Sequence, residues 1–295
     1  MEHIVIIVLL AALGLVLGSF AGAQVWRLRA HQLMEDKKAG EKVDAHELES
    51  LQLLTKQSFT SDRSVCLHCK RTLHWYDLLP LLSWLSVRGK CRYCKKKIGI
   101  MEPLIELGVA AFFVASYVFW PDMLTSPLAI MHFALWCVAG VLLAILFAYD
   151  MKWFLLPNKI VFPLIGLAAV IAGISIVSMT TTPLFEALIN LSVSIVILSG
   201  LYLLLWKVSN GQWIGFGDVK LGLALALLLV DWQLAFLALF AANLIGCLIV
   251  IPGMLAKKIT RKTRVPFGPL LIAGAIIAKL FGDDILAIYF ISIMS

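Results

Sequence analysis

Apolar residues along this chain gather into long runs broken by short polar interruptions. Runs near the length needed to cross a bilayer, about twenty residues, fall at 4–24, 103–120, 128–149, 160–178, 184–206, 232–255 and 266–280, with a shorter one at 219–230. The pattern predicts an all-α polytopic membrane protein with about eight transmembrane helices. One long polar interruption, residues 27–101, separates the first run from the second and reads as an inserted domain. The chain therefore divides into a first helix (1–26), an insertion (27–101) and a membrane core (102–295). Met1-Glu2-His3 lacks the basic start of a secretory signal, and no small-x-small site interrupts the first run, so it reads as a retained helix. The apolar tail at 285–294 is too short to span; it either packs at the interface or extends the last helix. Composition agrees, since 61% hydrophobic and 15% charged residues exclude an ordinary soluble domain.

Charge placement orients the helices. Of 25 Lys and Arg, fifteen lie in residues 27–97 and five in 257–264, whereas the loops "WPDMLTSP", "SMTTTP" and "VDWQ" hold none. Cytoplasmic loops retain the basic residues, so the N-terminus is expected outside and the insertion inside. The same alternation puts Asp150 and Asp218 at cytoplasmic ends of two different helices. Basic residues beside a bilayer also suit anionic lipid or nucleic acid; here they are interspersed with acids, which favours orientation and membrane lipid and gives no expectation of nucleic acid.

Residues 29–62 are polar with widely spaced apolar positions and predict one or two helices broken near Gly40. After them come "CLHC" (Cys66, Cys69) and "CRYC" (Cys91, Cys94), two C-x-x-C knuckles about twenty residues apart. Two residues between thiolates let one tight turn present both sulfurs to a tetrahedral ion, and a second knuckle completes the shell. The spacing predicts a structural zinc site. A reducing compartment argues against disulfides, and no thioredoxin-like unit surrounds the pairs to suggest redox chemistry. His68 and His74 are surplus to four ligands and read as surface residues, while Cys137 and Cys247 lie within apolar runs and read as buried packing residues.

Ionisable residues within membrane segments are costly, so each needs a partner or a task. Glu106 follows a helix start, Glu186 and Asp231 sit near outer ends, and Asp122, Asp283 and Asp284 read as solvated loop charges. Asp150 closes a long apolar helix before "LLPN", and Asp218 follows "GFG", whose glycines allow close backbone approach and unusual dihedrals. Two carboxyls in one partly desolvated site share a proton, so that one activates water while the other protonates the carbonyl. An ion pair of Asp218 with Lys220 or Lys152 accounts for the same spacing equally well.

Several motifs together resemble one family, the type IV prepilin peptidases. They are "GSF" (Gly18 to Phe20) with Arg27-Leu28, the paired knuckles bracketing "LLPLLSWL", "RGKC", "PLIE", Asp150 with "LPN", "GFGDVKL" and "VPFGPLLIAG". The resemblance spans nearly the whole chain. It implies a GxGD-type aspartyl endopeptidase of the cytoplasmic membrane with Asp150 and Asp218 as the catalytic pair. The implied substrates are prepilins and pilin-like subunits of type II secretion and competence systems, cut after a short basic leader. It also implies, for many members, methylation of the new N-terminus from S-adenosylmethionine, with the zinc-bearing loop needed for that step. Gly22 stands where the family has Asn, Met101-Glu102 where it has Arg-Tyr, Asn158 where it has Asp, and Gln212 where an acid is frequent. Gly89 and Glu106 keep the pattern. Two other readings stay open. A presenilin-like intramembrane protease shares "AYD" and "GFGD" but not the knuckles, and a transporter relaying protons through the two aspartates would lack the repeat symmetry such folds show.

Overall fold

The computed structural model describes residues 1–55, 64–121, 123–178, 182–257, 260 and 265–294. Asp122, most of the basic run at 257–264 and the end of the 29–62 segment lie outside them. In chain order the helices are α1 (Glu2–Lys38), α2 (Ala45–Leu51), α3 (Leu82–Ser86), α4 (Met101–Val118), α5 (Pro127–Trp153), α6 (Asn158–Ser178), α7 (Leu184–Ile195), α8 (Leu201–Val208), α9 (Phe216–Leu229), α10 (Trp232–Leu255) and α11 (Gly268–Met294). Between α7 and α8 the same rod passes through a π-helical turn, Val196–Gly200. Among the described residues, six helices are long and apolar enough to cross a membrane: α1, α4, α5, α6, the α7–α8 rod and α10. They coincide with six of the eight apolar runs, and the chain is an all-helical, multi-pass membrane protein.

The other two runs behave differently. Helix α9 has 14 residues, about 21 Å at 1.5 Å per residue, short of a hydrocarbon core of roughly 30 Å. Helix α11 continues for 27 residues to Met294, so the apolar tail extends the last helix. Asp283 and Asp284, expected in a loop, lie inside α11 with both residues exposed. Cys137 is buried as expected; Cys247 is exposed on α10 instead, because an apolar run that faces lipid needs no burial in protein.

The chain divides into two compact units, Met1–Val114 and Ala115–Ser295. In the first, α1 runs unbroken from its apolar start through the basic stretch to Lys38, and the chain turns at Gly40 (φ +80°) before α2. The break near Gly40 was legible, but the piece before it is a continuation of the first helix. Gly14 and Gly18, a G-x-x-x-G pair, let α1 press on α4: a Cβ at either would lie 2.6 Å from the Cα of Ala110 or Glu106. Small residues at this spacing bring helix backbones together in lipid. Further along α1, Ala30 and Leu33 form a small core with Leu51 and Leu54, packed by Val65 and Leu67.

In the second unit, Ser126 caps α5 by accepting from the Ala129 N–H at 3.1 Å, with Pro127 next. Phe154 ends that helix in the left-handed region (φ +56°). Asp231 caps α10, accepting from the N–H groups of Gln233 at 2.7 Å and Leu234 at 3.3 Å. A side-chain cap contributes about 1 kcal/mol, which explains this acid structurally. Close helix approach again depends on glycine: a Cβ at Gly274 of α11 would lie 2.3 Å from the Ala238 carbonyl of α10.

Candidate active site

Asp150 lies in the last turn of α5 and Asp218 in the first turn of α9. Asp150 is 6% exposed; Asp218 is half-buried. Each carboxyl meets the start of a helix. Asp218 is the third residue of α9, and its Oδ2 lies beside Gly215, the capping residue, 3.6 Å from where a Cβ there would stand, the position that an acid takes in a capping box. Asp150 accepts through Oδ2 from the N–H of Gly268 at 3.0 Å. That N–H belongs to the first residue of α11, so it has no partner within its own helix. Unpaired N–H groups and the helix dipole favour negative charge at both places. The two acids are near enough for the Asp218 charge to bear on Asp150.

Leu156, in the "LLPN" turn, holds the arms together. A Cβ at Gly217 would lie 3.1 Å from Leu156 Cβ, and one at Gly268 would lie 3.5 Å from Leu156 Cδ2 and 2.8 Å from Asp150 Oδ2. Close approach is therefore the reason for glycine at 217. The unusual dihedrals expected of "GFG" are absent: neither Gly215 nor Gly217 has positive φ, because Gly215 is an extended cap (φ −76°, ψ 148°) that other residues also adopt. Lys220 does not pair with Asp218; its ammonium donates to Asn158 Oδ1 and lies 5.4 Å from the ring centres of Phe162 and Phe216. The ion-pair account through Lys220 thus loses its partner.

Gly268 was not among the residues picked from the sequence as functional. Its signal was present in "VPFGPLLIAG", but a backbone donor leaves no side-chain signature. Gly268→Ala is expected to displace the Asp150 carboxyl and lower any activity of the pair by about 10²-fold, the usual cost of an ångström-scale misplacement. The variant should also lose some thermal stability, since the buried Gly268 N–H then lacks its acceptor; unchanged activity would show that this contact positions nothing.

In the first unit the four cysteine sulfurs lie within 4.8 Å of one another, and those of Cys66 and Cys94 are 4.0 Å apart. Tetrahedral zinc with Zn–S of about 2.3 Å needs sulfurs about 3.8 Å apart, so the set fits one ion. The two knuckles share a backbone design. The N–H of Cys66 donates to the Arg71 carbonyl at 2.9 Å and that of Cys91 to the Lys96 carbonyl at 2.8 Å, while Lys70 (φ +60°) and Lys95 (φ +58°) turn the chain. His68 and His74 are exposed and stand outside the cluster.

The linker between the knuckles is clamped at Asp77, which accepts from Arg92 Nε at 2.9 Å and the Tyr93 hydroxyl at 3.0 Å. Burial pushes the Asp77 carboxyl up, yet these two donors outweigh it and hold it below the usual carboxylate range. Gly89 sits at φ +68° with its α-carbon against the Trp84 ring, 2.9 Å from where a Cβ would be. Nearby, Glu106 is buried and accepts from the Leu81 N–H at 2.8 Å. Glu102 accepts from Trp26 Nε1 at 2.9 Å through Oε1, while its buried Oε2 has no hydrogen-bond partner among the described residues.

Comparison with known proteins follows the same division. Residues 12–120, which contain all four cysteines, match the Bacterial Peptidase A24 N-terminal domain, and residues 137–251, which contain Asp150 and Asp218, match the Type IV leader peptidase family. A prepilin leader peptidase/N-methyltransferase of Pseudomonas putida is 30% identical over 289 residues, covering 97% of this chain and 94% of that one. Proteins of the same description from Pseudomonas aeruginosa (30%, covering 94% and 91%) and Bacillus subtilis (30%, covering 79% and 87%) are also similar. No solved structure matches. Matched along both units and at this identity, the chain belongs to the type IV leader peptidase family.

Proposed function

We propose that the protein is a prepilin peptidase in which Asp150 and Asp218 together hydrolyse the bond between a basic leader and the hydrophobic helix of a prepilin or pilin-like subunit. The observation that carries the reading is the convergence of the two carboxyls at the starts of α9 and α11, joined by the Gly268 N–H on Asp150. With one acid protonated and the other ionised, the anion takes a proton from water as the water oxygen bonds to the carbonyl carbon. The acid gives its proton to the carbonyl oxygen. The carbon–nitrogen bond then breaks as the amine takes the proton that the first carboxyl drew from water, and the diol returns a proton to the second. Basic-loop counting supports placing this chemistry at the cytoplasmic face of the inner membrane, with the N-terminus outside. A cytoplasmic basic leader then meets the acids where it joins the bilayer.

The names of the similar proteins support a second activity, methylation of the new N-terminal amine from S-adenosylmethionine. The donor carries a sulfonium cation, and the partnerless Oε2 of Glu102 offers negative charge suited to it. Bound S-adenosylmethionine supplies the methyl group; Glu102 would hold the cation. Cys66, Cys69, Cys91 and Cys94 would hold a structural zinc ion that fixes the fold of the insertion, leaving no ligand position for catalysis. With these assignments the chain divides by role into a first membrane segment (1–26), whose helix runs on to Lys38, a zinc-bearing cytoplasmic insertion (27–101) and a peptidase core (102–295). Family membership disfavours the presenilin-like and transporter readings.

The test is intact-mass analysis of a prepilin co-expressed with this chain. Loss of the leader, with or without the added mass of one methyl group, supports the peptidase and reports the second activity separately. An unprocessed prepilin rejects the reading.

A further inference from the structure

Tyr202 is the second residue of α8, two residues past the π-helical turn Val196–Gly200. Its side chain is buried, with the residue 3% exposed, yet its hydroxyl has no hydrogen-bond partner among the described residues. Buried tyrosines ordinarily find a partner for the O–H, so one that does not requires an explanation. Its surroundings supply one. The ring lies 5.4 Å from that of Phe267, the residue preceding the Gly268 whose N–H binds Asp150. Tyr202 thus stands beside the start of α11, one residue from the N–H that binds Asp150.

The π turn fixes this position. Such turns are rare and frequently mark functional sites. Here α9 presses so closely on it that a Cβ at Gly222 would lie 2.1 Å from the Leu198 carbonyl oxygen. Ser199 Oγ also donates to the carbonyl of Val219, the residue after Asp218, at 3.0 Å. Tyr202 and Asp218 are thus borne on elements fastened together within a few residues of each side chain.

We propose that the Tyr202 hydroxyl is a third catalytic group, a hydrogen-bond donor whose partner is the scissile carbonyl oxygen of the bound substrate. The inference rests on the peptidase reading above. As water adds, negative charge builds on that oxygen; the tyrosine O–H stabilises it and keeps its own proton. Proton transfer still runs through the aspartates, so the balance of the reaction is unchanged. Pre-aimed donors act most strongly where charge develops in a site removed from water.

Steady-state cleavage of a purified prepilin by the full-length protein in detergent tests this, comparing wild type with Tyr202→Phe. The phenylalanine keeps the ring against Phe267 and removes only the oxygen, so the thermal midpoint should not change. The expected result is a fall in kcat of about 10²-fold, the typical loss for one such donor, with KM within about twofold. Equal kcat in wild type and Y202F overturns the proposal. So does a Y202F defect confined to KM, since the donor would then act before the transition state. A second variant, Tyr202→Leu, removes the ring as well; if it alone is impaired, packing rather than the hydroxyl is what matters, and the proposal fails. Absence of cleavage by wild type rejects the peptidase reading itself and takes this inference with it, an outcome distinct from the others.

Discussion

Asp150→Asn and Asp218→Asn should each lower prepilin cleavage by about 10³-fold or more while leaving the protein folded. The size follows from the chemistry, because a positioned acid or base contributes about 10²–10⁴-fold and hydrolysis by this pair needs both. An amide can neither accept water's proton nor supply one to the carbonyl. Survival of the fold follows from geometry. Asn keeps an oxygen where Asp150 accepts from the Gly268 N–H at 3.0 Å, so no buried donor is orphaned. Asp150→Leu would orphan it and should lose stability as well as activity. Combining D150N with D218N should cost scarcely more than either alone, since groups acting as one unit are not additive. The measurement is initial cleavage rate at matched folded fraction. Cleavage surviving either single change would remove that aspartate from the mechanism.

Cys91→Ser should release the zinc ion and open the insertion. Cys91 is 2% exposed, and its knuckle supplies Arg92 and Tyr93 to the Asp77 clamp. The other knuckle is flanked by Val65 and Leu67, which pack on the core of Ala30, Leu33, Leu51 and Leu54. Structural zinc contributes roughly 10–16 kcal/mol to the folding of small metal domains, far more than the small hydrophobic cluster under the loop can replace. Metal analysis under reducing conditions should find about one zinc per chain in wild type, the stoichiometry of a four-cysteine site, and little in the variant. Limited proteolysis should then cut residues 64–100. N-terminal methylation of the mature pilin should fall more than leader cleavage, because the aspartates and the Gly268 contact belong to the other unit. Full zinc occupancy in the variant would contradict the four-ligand site.

How much of this could be read beforehand depended on where each signal resides. Six membrane-length helices were visible because apolar runs of that length have few alternatives. The cysteine cluster was visible because metal geometry fixes ligand type and spacing. Asp150 and Asp218 stood out as acids at the ends of apolar runs, but spacing alone left catalyst and ion pair balanced. Lys220 turning to Asn158 is a tertiary fact that no local pattern encodes. Gly268 and Tyr202 escaped notice for the same reason: a backbone N–H and a tyrosine inside an apolar run look ordinary until another helix arrives beside them. The reading of "GFG" failed at the level of cause. Glycine at 217 is required by the Leu156 side chain rather than by backbone dihedrals. The G-x-x-x-G of α1, by contrast, was in the sequence to be seen, and its contact with α4 is what such spacing ordinarily means.

The central claim is that two aspartates, held at helix starts, cut a prepilin at the junction of leader and membrane helix. Mapping the new N-terminus of a purified prepilin, incubated in parallel with wild type, D150N and D218N, tests it most directly. The account predicts one cut immediately before the hydrophobic helix with wild type and an intact prepilin with both variants. A cut several turns inside the helix, or the same product from either variant, would contradict it.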